Sequence, residues 1–292
     1  QVAAVLRGRG ADCRVAPITG ERGSTDFIRA VIPGARGRSA GGEARTLGII
    51  GRLGGIGARP DRIGLVSDAD GAITAIACAL KLADMQRAGD VLPGDVIIGT
   101  HICPRAFIHE TATVPMMMSP VDIATMNTHE VAAEMDAILS IDTTRGNRLI
   151  NHKGIAISLP VKEGYLLRAT DCMLDILQWV TGIPPVLVPL ATQDITPYGN
   201  GLRHINSILQ PAVATTAPVV GLALTAVVPV PGSATGASQP ADIETAVRFC
   251  LEVGKAYGDG TCEFYDRKEF DELVARYGSM RHLQTHGHAV TR

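Results

Sequence analysis

Five short polar runs in this 292-residue chain carry side chains able to do chemistry, and each follows a β-rich apolar stretch. They are Ser67-Asp68-Ala69-Asp70-Gly71, Thr100-His101-Ile102-Cys103-Pro104, Asp142-Thr143-Thr144, Gln193-Asp194-Ile195-Thr196 and Gly232-Ser233-Ala234-Thr235-Gly236. Two chemistries fit them. Zinc accepts imidazole nitrogen, thiolate sulfur and carboxylate oxygen, and a catalytic zinc keeps one position open for water. Asp68 or Asp70, His101 or Cys103, and Asp142 could supply three ligands, so that bound water ionises near neutrality and attacks an amide carbonyl. Glu130 or His129, in a loop before Val131, would then be the general base. The metal-free reading makes Cys103 the nucleophile, activated by His101, His109 or His129.

Substrate contacts are expected from Arg52, whose bidentate fork suits a carboxylate, and from Gln193, Asp194, Asn200, His204 and Thr235. The proline-bracketed Pro115-Met116-Met117-Met118-Ser119-Pro120 reads as a core plug or an adaptable lid. Each residue also has a plainer reading. An Asp before a helix is commonly an N-cap worth about 1 kcal/mol, a free Cys is usually buried and inert, and Asp142-Thr143-Thr144 could be a turn. Recurrence at one end of a sheet is what favours a site.

The elements that would position these side chains come next. Candidate strands are Leu47–Gly51, Ile63–Val66, Val96–Gly99, Ile138–Ile141, Val186–Leu190 and Val219–Val228, several of them apolar at consecutive positions. Helical spacing joins Ile73, Ile76, Ala77 and Leu80, and again Ile243, Val247, Cys250 and Leu251. Leu174–Val180 and Glu269–Tyr277 suggest two further helices. Alternating β and α elements predict an α/β three-layer sandwich with a mainly parallel sheet. In such sheets ligands bind beyond the carboxyl ends of the strands, where helix N-termini converge. The glycines of Gly51–Gly57 lack the dinucleotide spacing and lead into a second strand, so they predict no phosphate cradle. Residues 1–45 are expected as a peripheral segment with a Gly/Arg/Ser loop at Gly34–Gly42, residues 46–283 as the main domain, and 284–292 as a flexible tail holding His286 and His288.

Composition narrows the classes. With 27 basic and 29 acidic residues and 4% aromatics, nothing marks a nucleic-acid binder. The uncharged stretch between His204 and Ala241 is too rich in proline, Thr and Ser for a spanning helix, so no membrane partner is expected. No signal peptide is visible, and six scattered cysteines read as reduced cytoplasmic thiols.

The run GRLGGIGARPDRIGLVSDADGAITAIACALKLADMQRAGDVLPGDVIIGTHICP, with MNTHEV, ILSIDTTRGN, TQDITPYGNG and ILQPAVATTAPVVG, closely resembles a prokaryotic family of domains of unknown function. More distantly, the layout is similar to co-catalytic zinc aminopeptidases and their amidohydrolase relatives. That resemblance implies a zinc-aminopeptidase-like fold, a homo-oligomer, and hydrolysis of an amide, peptide-like or cyclic-amide small molecule. It places Arg52 where the early ligand His would stand, Asp68 or Asp70 at the Asp turn, His101 and Cys103 near the Glu pair, and Asp142 at the later Asp. No His occupies Gly232–Ser238, where the last ligand would fall. The implied site is therefore atypical: an altered metal centre, possible zinc included, or a Cys/His site. The alternative is a non-catalytic ligand-binding or assembly protein that keeps the fold.

Overall fold

Leu47-Gly48-Ile49-Ile50, Val96-Ile97-Ile98, Ala137-Ile138-Leu139 and Val219-Val220-Gly221-Leu222 are apolar on successive residues, so each needs cover on both faces. A computed structural model describes residues 1–55, 67–109, 116–144, 146–196, 201–202, 204, 208–227 and 238–285, and in it these four stretches lie side by side in a ten-stranded sheet. The chain runs α1 (Val2–Gly8), β1 (Asp12–Gly20), β2 (Gly23–Ile32), β3 (Leu47–Gly55), α2 (Asp70–Arg87), β4 (Val96–Cys103), β5 (Phe107–His109) and β6 (Met116–Met118). It continues through α3 (Ile123–Glu130), β7 (Ala137–Thr144), β8 (Gly154–Ser158), β9 (Val161–Lys162), β10 (Tyr165–Leu166) and α4 (Asp171–Thr181). Then follow β11 (Leu187–Val188), β12 (Val219–Thr225), α5 (Pro240–Asp259) and α6 (Arg267–Tyr277).

The sheet order is β1-β2-β4-β3-β7-β12-β8-β11, with β9 beside β12 and β10 beside β9. The four central strands β4, β3, β7 and β12 are parallel. Antiparallel strands flank them, β2 against β4 and β8 against β12. Alternation along each central strand divides the core. Leu47, Ile49, Leu139, Ile141 and Leu222 pack with α2, α4 and α5 on one face. Ile50, Ile138, Val219 and Ala223 pack on the other with the turns Thr192–Ile195 and Gln210–Val213. Each such aliphatic side chain, removed from water, contributes about 1.5–3 kcal/mol. The result is a mixed α/β fold around one large sheet.

The chain leaves β3 through α2 to β4 on one side, then returns to β7 on the other. The gap between β3 and β7 is thus the topological switch point, where a ligand crevice is expected. Helix α2 seats its first turn directly there. A Cβ on Gly71 would stand 2.1 Å from the Arg52 carbonyl oxygen and 2.5 Å from that of Ile141. Only glycine allows that approach.

Several expectations change. Strand β4 continues to Cys103 and β7 to Thr144, so His101, Cys103 and Asp142 belong to ladders rather than to loops or turns. Segment 1–45 lies at one edge, yet its β2 is hydrogen-bonded to β4 from Asp26 to Ile32. The loop before Val131 is helix α3, capped by Asp122, whose carboxylate accepts from the Thr125 N–H at 2.7 Å. Cys172 and Cys262 form a disulfide across 90 residues, correcting the expectation of six reduced thiols; sequence spacing cannot show a pairing that the fold alone creates. Cys13, Cys78, Cys103 and Cys250 are free and buried. At the tail, Gln284 donates to the carbonyls of Ala212 and Thr215, whereas His286 and His288 lie outside the described residues. The expected strand Ile63–Val66 also lies outside them. Among the described residues, no helix is long and apolar enough to cross a membrane.

Candidate functional site

Strand periodicity sends His101 and Cys103 to the same face of β4, the face covered by α3. Pairing register puts Phe27 opposite His101, Gly51 opposite both Thr100 and Ile141, and Asp142 opposite Ala223. Arg52, the next residue of β3, therefore sits in a lateral row between His101 and Asp142. Helix α3 closes the row from above. Its Asn127 and Glu130, three residues apart, share the helix face turned toward β3.

The contacts are short and buried. Glu130 Oε1 lies 2.6 Å from His101 Nδ1, and Glu130 Oε2 accepts from Arg52 Nε at 2.6 Å. Arg52 also donates from Nη2 to Asn127 Oδ1 at 2.6 Å and from Nη1 to Gln210 Oε1 at 3.4 Å. The Asn127 amide in turn donates to the Gln210 carbonyl at 3.1 Å. His101 and Glu130 are both 0% exposed, and Arg52 is 3% exposed. Cys103 Sγ donates to Thr25 Oγ1 at 3.2 Å, and that hydroxyl donates to the Ile102 carbonyl at 2.9 Å.

Burial by itself would push His101 down, but the Glu130 carboxylate and Cys103 outweigh it and raise the imidazole to about 9. Burial would likewise raise Glu130, yet Arg52 and His101 hold it below the usual carboxylate range. The pair is thus imidazolium and carboxylate at neutral pH. His101 Nε2 is buried and has no hydrogen-bond partner. A ring fixed at Nδ1 by a carboxylate, with Nε2 unused, is the arrangement of a base or acid poised for proton transfer.

A family described as "Protein of unknown function (DUF1177)" matches residues 16–287. The chain belongs to this family. No curated protein sequence matches it. Among solved structures, the fold is similar to leucine aminopeptidase LAP1 of Caenorhabditis elegans, with 11% identity over 84% of this chain and a TM-score of 0.48. This chain spans 59% of that aminopeptidase's length. It is also similar to Porphyromonas gingivalis glutaminyl cyclase, with 13% identity, 89% of this chain and 88% of the other covered, and a TM-score of 0.45.

Within this family member, the structure brings together Arg52, His101, Cys103 and Glu130, with Asp142 in the neighbouring strand. Among the described residues, the side chains expected to ligate zinc do not gather as a set of three or more. Asp70, the first helical residue of α2, accepts from the Ser238 hydroxyl; Asp142 Oδ1 accepts from the Thr143 N–H at 2.7 Å; His101 Nδ1 is taken by Glu130. Asp68 is half-buried in the turn Ser67–Ala69. Among the described residues, no group of three or more His, Cys, Asp and Glu side chains could hold a metal ion. Both Glu130 oxygens are engaged, one by His101 and the other by Arg52. His129 stacks on Phe27, centroids 4.6 Å apart. His109 lies in β5.

Of the expected substrate contacts, Arg52 has its guanidinium committed to Glu130, Asn127 and Gln210, Gln193 is exposed, and Asp194 accepts from the Ala191 N–H at 2.8 Å. His204 is half-buried and engaged, while Asn200 and Thr235 lie outside the described residues. Sequence reasoning missed Asn127, Gln210 and Thr25. The Asp122 cap followed by Asn127 and Glu130 at helical spacing was the available signal for the first.

Proposed function

We propose that this protein is a cysteine-dependent hydrolase of an amide or peptide-like small molecule. The observation that carries the reading is His101, held at Nδ1 by buried Glu130, unpaired at Nε2, and on one strand face with Cys103. In the first step Cys103, its thiol proton already released to solvent so that it faces the His101 imidazolium as thiolate, attacks the amide carbonyl carbon and forms a C–S bond as the carbonyl π bond opens. The proton carried by the His101–Cys103 pair passes from Nε2 to the departing nitrogen as the C–N bond breaks. Water then attacks the thioester, giving one proton to His101, and the C–S bond breaks to release the carboxylic acid and restore the thiolate–imidazolium pair. Glu130 keeps the ring oriented and its positive charge matched throughout.

Because the imidazolium is the acid, turnover should fall as pH rises through about 9. The test is turnover on a panel of N-acyl and peptide amides, with iodoacetamide labelling mapped by mass spectrometry. Cys103→Ser and His101→Ala should each lose at least about a thousandfold with the fold retained. Full turnover in both variants would end the proposal. One observation favours a second reading: Cys103 is 1% exposed and its sulfur is engaged by Thr25. A purely structural thiol of a non-catalytic binding protein would label only on global unfolding.

A further inference from the structure

Arg14 of β1 and Arg29 of β2 stand directly opposite each other in the hairpin register. Cross-strand partners share one face of the sheet, and like charges in that relation destabilise it. Both side chains line a cleft of about 270 Å³ whose apolar part is Val31 and Ile97. The charges around this cleft are not equally spent. Asp95 is buried, and its two oxygens accept from the N–H groups of Gly34 and Ser39, each at 2.8 Å. Arg38 is paired with Asp136 at 2.8 Å. Asp12 and Glu134 are exposed, where water and salt screen them, and Asp12 meets Arg14 at 3.7 Å. Arg29 differs from all of these. It is half-buried, and among the described residues it forms no ion pair. Its Nη2 donates to the carbonyls of His129 at 2.8 Å and Val131 at 3.4 Å, at the end of α3. Its Nε and Nη1 have no acceptor among the described residues. Two backbone carbonyls thus hold the guanidinium in place and leave its other N–H groups unused, so a ligand finds them already ordered.

We infer that this cleft binds a small oxyanion, a carboxylate or phosphate group taken by Arg29 and Arg14 together. The planar guanidinium matches either group through parallel N–H···O bonds, and a bound anion between the two arginines turns their repulsion into attraction. The volume falls just below the roughly 300 Å³ at which drug-sized sites begin, so the ligand is compact. The cleft is separate from the reactive pair: along β4, Ile97 and His101 stand about 13 Å apart. The inference therefore does not depend on the hydrolase reading.

The experiment is titration calorimetry of the full chain with sodium phosphate, sodium succinate and the uncharged succinamide, at an ionic strength held constant with sodium chloride. At least one of the two anions should bind one to one, and succinamide should not bind. The tighter anion identifies which oxyanion the cleft takes. Arg29→Gln should weaken that anion by about tenfold or more, the loss expected for a charge-assisted hydrogen bond. Arg29→Lys keeps the charge without the fork and should fall between the two. Arg14→Gln, a change at an exposed side chain, should weaken binding several-fold. Heat from neither anion, equal binding of succinamide, or an affinity unchanged in Arg29→Gln overturns the site. Should Arg29→Gln fail to fold because the end of α3 loses its donor, Arg14→Gln decides: weaker binding supports the site, and unchanged binding refutes it.

Discussion

Glu130 faces two cations at once, the Arg52 guanidinium and the His101 imidazolium, and all three side chains are buried. Replacing it by Gln leaves buried positive charge unpaired, which typically costs about 3–5 kcal/mol. Urea unfolding of Glu130→Gln should show that loss, and an NMR titration should show the His101 ring titrating well below its wild-type position. The pH dependence follows in sign. Glu130 is lowered in the fold, so its contribution is present above the unfolded value of about 4.3 and is lost as pH falls further. His101 is raised to about 9, so its contribution is complete below about 6.5 and is lost as pH rises toward 9. Wild-type stability should therefore decline across that upper window, and the decline should flatten in the variant. Residue types alone pointed to Arg52, His101, Cys103 and Glu130. Their partnership was not legible, because Arg52 and Glu130 stand 78 residues apart and only the β3–β4 register and α3 bring them together.

Helix α2 reaches the switch point because Gly71 has no side chain. Gly71→Ala drives a methyl group into two carbonyl oxygens, and backbone cannot yield as a side chain does. A loss of roughly 3 kcal/mol or more is expected, as for severe overpacking. Gly254→Ala is the control: its nearest neighbour is the Leu92 Cδ2 atom at 3.1 Å, the end of a flexible chain, so its change should stay within about 1 kcal/mol. Thermal melts of the two variants compare them directly. At this scale α2, α4, α5 and α6 were readable, since their apolar faces keep helical spacing. Helix α3 is not, because Asn127 and Glu130 take two of its three buried positions and leave Met126 as the one buried apolar side chain. The carboxyl ends of β4 and β7 look like loops in the sequence for the same reason: polar residues there face a polar layer and still complete the ladder.

The disulfide between Cys172 and Cys262 ties the first turn of α4 to the chain beyond α5 and closes a 90-residue span. By the chain-entropy estimate, such a loop contributes up to about 4–5 kcal/mol to stability. Reductant should lower the melting temperature of wild type and leave Cys172→Ser unchanged, a comparison made by calorimetry with and without dithiothreitol. An unchanged wild-type melting temperature would show that the tie contributes nothing. Chain-wide, the alternation of strand and helix was legible from hydrophobic periodicity, whereas the antiparallel borders were not, because β1 and β2 alternate with exposed residues that read as loop.

The first hairpin also has a consequence for how this molecule comes together. Strand β2 supplies Thr25 to the Cys103 sulfur and Phe27 to the His101 ring, and it saturates the outer backbone of β4. Without it, the strand bearing His101 and Cys103 becomes a bare border, a template on which a second molecule can dock by main-chain pairing. The surroundings of Cys103 and the cover on the border of β4 thus depend on the same ten amino acids of β2, and a chain deprived of them should lose both at once.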